Sequence, residues 1–320
     1  MGQILYEYSR SKPVFFILCL TSIFVGANQL DWSLLLTMDD KAWLPITASR
    51  LPRLIALILT GSGLAICGVI LQHIVRNRFV EPGTTGGIDA AKLGILVSIV
   101  MLPSSDKLER MLFAVLFCFA AGLIYIAIVR KIKFSNSALI PVIGLMFGSV
   151  LSAIAEFYAY QNNILQSMSG WLMGDFSKVV QEHYEIIFLI LPITLLTYLY
   201  AHKFTVMGMG EDVASNLGIN IAFTAALGLM LVSVTVAITV VTVGAIHFIG
   251  LVIPNLVALK YGDHLKNTLP IVALGGASLL IFCDVIGRVV AFPFEVPIGL
   301  TASAIGGVMF LVFLLKGARV

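Results

Sequence analysis

Hydrophobic positions in this chain fall in long runs, not in the one-sided stripes of a soluble helix or the alternation of a half-buried strand. A helix that crosses a bilayer needs about 20 mostly apolar residues. Read in windows of that length, the chain predicts ten helices, at about 14–30, 51–73, 90–103, 111–129, 139–160, 184–201, 222–243, 247–260, 270–288 and 298–315. The third and eighth are short for a full crossing. They are expected to be tilted partners, re-entrant pieces or windows whose bounds are misplaced, since irregular backbone at membrane depth is tolerated only where protein buries it. The expected fold is all-α and polytopic, with residues 1–320 as one membrane domain, a loop at 161–183 on one face and a loop at 207–220 on the other.

Composition agrees with bilayer as the solvent. Of 320 residues, 59% are hydrophobic and 12% charged, against about 45–50% and about 25% in soluble domains. A net charge of +3 with no dense basic tract gives no reason to expect a nucleic-acid partner. Cys19, Cys67, Cys118 and Cys283 each lie inside an apolar run, without the spacing of a metal or redox site. No metal or cofactor is expected. The run after Lys12 has a basic start and small residues at Val25 and Ala27, as a signal peptide would. The charge pattern works with the segment retained as an anchor.

Lys and Arg give the orientation. Arg10, Lys12, Arg76, Arg78, Arg130, Lys131, Lys133, Lys203, Lys260, Lys266, Lys316 and Arg319 fall on one side of a ten-span arrangement. Lys41, Arg50, Arg53, Lys107, Arg110, Lys178 and Arg288 fall on the other. Cytoplasmic loops carry the basic excess, so both termini are expected inside the cell. Arg50, Arg53 and Arg288 then lie on the outer face. Arginine there either snorkels to the interface or presents its planar fork to the carboxylates of an acidic partner.

Inside the apolar runs, small residues recur at helical spacing: Gly61, Ala65 and Gly68 in the second window, Ala302 and Gly306 in the last. Such faces let helices approach closely, within one subunit or between two. The few ionisable residues there stand near window ends. Asp89 and Lys92 are expected at the inner start of the third, Glu156 near the outer end of the fifth, His247 at the outer start of the eighth and Asp284 near the outer end of the ninth. No midplane carboxylate chain suggests a proton-coupled carrier. HExxH, GxSxG and GxxxxGK[ST] are absent, and "QEHYE" (181–185) has the wrong order for a zinc helix. The stretch "MGMGEDVASNLGINIAFT" (207–224) predicts a short cytoplasmic helix. Glu211 and Asp212 would sit at its positive dipole end, with Gly218 at the C′ position. It could be a plain connector or a lever pushed by a soluble motor.

The ordered segments "RLPR" with "GSGLAICGVILQ", "RNRFVEPGTTGGIDAAKLG", "GEDVASNLGI", "GAIHFIGLVIPN" and "CDVIGR…FEVPIGLTASAIGGVMFLVFLL" resemble those of the FecCD-like family, the permease subunits of bacterial ABC importers for iron–siderophore complexes, haem and cobalamin. The resemblance covers nearly the whole chain after the first window. It implies a cobalamin-importer-permease-like fold of ten helices in the bacterial inner membrane, and a non-enzymatic transport subunit. A cytoplasmic ATPase dimer would hydrolyse the ATP, a second permease subunit, identical or paralogous, would complete the pathway, and a periplasmic or lipid-anchored protein would deliver cargo. By motif position it implies binding-protein docking at Arg50, Arg53 and Arg288, and ATPase coupling at Glu211, Asp212, Ala214 and Gly218. "NRFVEPGTTGG" resembles the branch for catechol-type ferric siderophores, with haem or cobalamin as the alternative cargo and an ion-coupled secondary transporter as the rival of another class. The chain departs from the family pattern at "NRFV" (77–80), Ile88–Ala90 and Asn255.

Overall fold

The computed structural model describes residues 2–26, 40–132, 139–181 and 184–317. Lys133, Glu182, His183 and Arg319 lie outside the described residues, as does the Ala27 end of the first window. Among the described residues every regular element is a helix. The helices are α1 (Gly2–Phe24), α2 (Asp40–Pro45, running through a π turn at Ile46–Arg50), α3 (Leu51–Val75), α4 (Gly87–Met101), α5 (Lys107–Lys131), α6 (Leu139–Gln161) and α7 (Leu165–Trp171). After a 3₁₀ turn at Glu185–Leu189 come α8 (Ile190–Leu199), α9 (Ala201–Gly208), α10 (Glu211–Asn216), α11 (Ile221–Thr242), α12 (Ile249–Tyr261), α13 (Leu265–Val290) and α14 (Ile298–Gly317). Each of the ten windows contains a helix. Among the described residues, five helical stretches are long and apolar enough to cross a membrane alone, and a sixth is formed if Glu185–Leu199 and α9, bent by 59° from each other, count as one span. The sixth window is therefore not one straight helix: its tail turns away from the span and continues to Gly208 as α9.

The core is an antiparallel pair, α3 and α13, and its closeness follows from missing side chains. A Cβ on Gly276 would fall 2.2 Å from the Gly61 carbonyl oxygen and 2.6 Å from the Ala65 Cβ. The Gly61–Ala65 face thus seats α13 within the subunit. Gly68 does the same for α12, where an added Cβ would lie 1.8 Å from the Gly250 carbonyl oxygen. Ala302 is buried, and the Gly306 position faces Phe248. Dispersion contacts and close backbone approach, not the hydrophobic effect, hold helices together in lipid, so these small residues are where packing energy is gained.

The third and eighth windows hold short helices of 15 and 13 residues, each reached by a segment that turns back into the bundle. Residues 77–86 turn back into the bundle after α3, and residues 243–248 descend into it after α11. They meet where the buried Glu81 Oε1 accepts the Phe248 backbone N–H at 3.0 Å. This places a carboxylate at the start of α12, where the helix dipole favours an anion. The arrangement corrects two expected positions. His247 is not at an end of the bundle but beside Gly83 and Glu81, within it. Lys92 has climbed beyond the start of α4 and reaches α6, donating to Ser152 Oγ at 2.9 Å and Glu156 Oε1 at 3.3 Å. Both shifts have one cause: the backbone breaks at Gly86 (φ +74°) and Phe248 (φ +70°) lie inside protein, so the helices begin there rather than at the membrane surface. Helix α6 packs mainly on α4 and leaves Met146, Val150, Phe157 and Tyr160 exposed along one side.

Candidate functional site

Two polar constellations occupy opposite ends of the α3–α13 pair, which α13 alone spans over about 39 Å at 1.5 Å per residue. At one end, Asp284 is fully buried and held between two guanidiniums. Arg53 donates to its Oδ1 through Nε (3.1 Å) and Nη2 (2.6 Å), and Arg288 donates to its Oδ2 through Nη2. The remaining Nη1 of Arg53 reaches Glu295 Oε2 at 2.7 Å, across the turn between α13 and α14. Arg288 Nη1 donates to the Ser22 and Val25 carbonyls at 2.8 and 2.7 Å, and Arg50 Nη1 to the Ile23 carbonyl at 2.6 Å. Two arginines thus cap the C-terminal end of α1, where carbonyls lack helical partners and cations suit the dipole. That explains why α1 belongs to the bundle.

Arg50, Arg53, Arg288 and Glu295 line one cavity of about 150 Å³. Span position alone puts all three arginines at a rim. The structure brings them together but leaves Arg53 and Arg288 only 8% and 5% exposed, because α1 and Glu295 close over them. The cluster is built as one unit: a fully buried carboxylate is stable only while both partners remain. Sequence reading assigned no role to Glu295 or Glu81. Each is a lone carboxylate beside an apolar run, "FEVP" and "VEPG", and that isolation was the available signal.

At the other end, α10 is a short elbow set by two glycines with positive φ, Gly210 (+131°) and Gly218 (+73°). Its C-terminus closes as a Schellman turn: Gly218 N–H donates to the Ser215 carbonyl and Ile219 N–H to the Ala214 carbonyl, both at 2.9 Å. The C′ place is one that a side chain would strain. Ala214 is fully buried and pins the elbow to the bundle, while Glu211 and Asp212 are exposed. Glu211 lies 3.7 Å from Arg76 at the end of α3 and 3.4 Å from Arg130 at the end of α5. All three side chains are about half exposed, so each pair contributes at most about 1 kcal/mol. Met209, Val213 and Leu217 present apolar surface on the same elbow.

Two contacts join the elbow to the core. Leu265 N–H, the first of α13, donates to Thr205 Oγ on α9 at 3.2 Å, and the Gly208 position abuts His73 on α3. The elbow is thereby joined to the two helices whose far ends carry Arg53 and Arg288. Among the described residues no group of three or more His, Cys, Asp or Glu side chains is placed to hold a metal ion.

Comparison with known proteins adds the following. Residues 14–316 match the model of the FecCD transport family. The chain is 88% identical over 310 residues to the ferric-anguibactin transport system permease protein FatD of Vibrio anguillarum, covering 97% of this chain and 99% of the relative. It is 42% identical over 300 residues to the petrobactin import system permease protein YclN of Bacillus subtilis, covering 94% and 95%. Its backbone matches a solved structure described as an inward-facing conformation of a putative metal-chelate type ABC transporter, with a TM-score of 0.82, 25% identity and coverage of 99% and 100%.

Proposed function

The chain belongs to the FecCD transport family, and from that premise we propose that it is the membrane permease of an ATP-driven importer for a ferric siderophore, of the class bearing catechol groups. It is a transport subunit and not an enzyme, and its family implies that it sits in the inner membrane and works with a separate ATPase and a separate binding protein. We further assign the Glu211 end to the cytoplasm, with both termini, and the Arg53 end to the outside, following the basic-residue excess. A second permease copy or paralogue would face the open side of α6 and complete the pathway, together with α3 and α14.

The observation that carries the reading is the elbow of α10 between two positive-φ glycines, with exposed apolar side chains outward and Ala214 buried inward. It has the form of a contact surface fixed to the bundle at one point. Glu211, Asp212, Ala214 and Gly218 are its working residues: the ATPase presses on the elbow, and α9 passes the displacement to α13 and α3. At the other end an acidic residue of the binding protein engages the arginine cavity. Glu295 already occupies Arg53 Nη1 as such a residue would and is more exposed than Arg53, Arg288 or Asp284, so an incoming carboxylate would replace it. Arg50 makes first contact, while Arg53 and Arg288 hold the seat.

The test is reconstitution with the ATPase and binding protein in proteoliposomes. Glu211→Ala and Gly218→Val should leave ATP hydrolysis running while ferric-siderophore uptake falls at least tenfold. Arg50→Glu should weaken binding-protein association with assembly intact. Unchanged uptake per ATP in the elbow variants would remove the coupling assignment, and unchanged association of Arg50→Glu would remove the docking assignment.

A further inference from the structure

A second cavity, of about 180 Å³, lies at the Arg53 end of the bundle and plays no part in the scheme above. Its position follows from the chain path. The α5 end carrying Arg130 meets Glu211, so the Lys107 end lies opposite, and Gln181 N–H donates to the Ala48 carbonyl beside Arg50 at 3.0 Å. Lys107 and Arg110 from α5, Lys178 from the loop after α7 and Lys92 from α4 all line it, against the single lining carboxylate of Asp175. Lys92 is drawn towards Ser152 and Glu156. Arg110 is anchored through Nε to Ser105 Oγ at 3.2 Å, an anchor that does not use its two terminal amino groups. Lys178 donates to the Gly170 carbonyl at 3.3 Å and stands 3.9 Å from Asp175. The rest of the wall is apolar and includes Leu96 and a partly exposed Trp171.

This gathering runs against two local rules. Lys107 and Arg110 stand in the first turn of α5, where the dipole disfavours cations. They are also on the face where basic residues are normally sparse. Local rules are broken where function requires it. We propose that the cavity binds an anionic group carried on an apolar body, with the acid against Arg110 and Lys178 and the body against Trp171 and Leu96. Its size suits one substituted aromatic ring, since a dry cavity of about 150 Å³ takes up benzene. Two sources share this chemistry: a phenolate or carboxylate ring of the imported chelate, which rests on the function proposed above, and the headgroup of an anionic lipid.

The experiment uses the full importer in nanodiscs of zwitterionic lipid, with 2,3-dihydroxybenzoate as the ring probe, benzyl alcohol as its neutral counterpart and phosphatidylglycerol as the lipid probe. For the ring source, Arg110→Gln with Lys178→Gln should raise the Kd for dihydroxybenzoate about tenfold, Arg110→Lys with Lys178→Arg should restore it, and benzyl alcohol should bind alike throughout. For the lipid source, the same variants should instead lose phosphatidylglycerol retained through purification, while the ring probe shows no charge-dependent binding. If neither probe responds in variants with unchanged melting temperature, the assignment is overturned. Binding needs neither ATP nor the binding protein, so its failure leaves the import reading standing. Conversely, loss of ATP-driven uptake with probe binding intact would count against the import reading alone.

Discussion

The two ends of the α3–α13 pair use the same chemistry, arginine with carboxylate, to opposite effect. At the Arg53 end the carboxylate of Asp284 is fully buried and shared by two guanidiniums. At the Glu211 end a half-exposed carboxylate faces two half-exposed guanidiniums at 3.4 and 3.7 Å. The first cannot lose a member without stranding a charge in the interior. The second can break and re-form in water at little cost. The lesson is that one end is built as a buried, permanent cluster and the other as a solvated, breakable one, which is the contrast the proposed coupling requires.

The comparison breaks most severely at Asp284. Asp284→Ala should lower stability by about 3–5 kcal/mol, because Arg53 and Arg288 are then buried without their shared counter-ion; thermal unfolding in detergent checks this, and a loss below about 1 kcal/mol would mean the cluster is solvated. Next comes the seam. Gly276→Leu places side-chain atoms against the Gly61 backbone and should cost at least the 1–3 kcal/mol, roughly, of an overpacked core. Expression with a lowered melting temperature is the expected result, and Gly262→Leu, with open space at its Cβ, serves as the control for bulk although its φ of +77° adds strain of its own. The smallest effect on stability belongs to Glu211→Ala, at most about 1 kcal/mol for each of the two solvated pairs it removes. Stability and transport should separate there, as they would not at Asp284.

The helix windows were legible because apolar run length alone reports them. The Gly218 turn was legible because one residue type satisfies its backbone demand. The starts of the two short helices could not be placed, since Gly86 and Phe248 begin them inside protein and nothing in the local pattern reports that burial. The arginines were legible as a set but not as a buried set. Arg53 and Arg288 are covered by α1 and by Glu295, partners hundreds of residues apart in the chain for which no spacing rule exists. Lys92 was seen as an ionisable group in an apolar run, yet only the packing of α4 on α6 reveals Ser152 and Glu156 as its partners.

The central claim is that the α10 elbow transmits work while the Arg53 end stays fixed. The ratio of ferric siderophore imported to ATP hydrolysed, measured in proteoliposomes for Gly218→Val beside the unmodified importer, tests it most directly. The account predicts that hydrolysis continues and the ratio falls at least tenfold with the importer still folded and assembled, its melting temperature lowered only by the local strain of a side chain at the Gly218 turn. A ratio equal to that of the unmodified importer would contradict it.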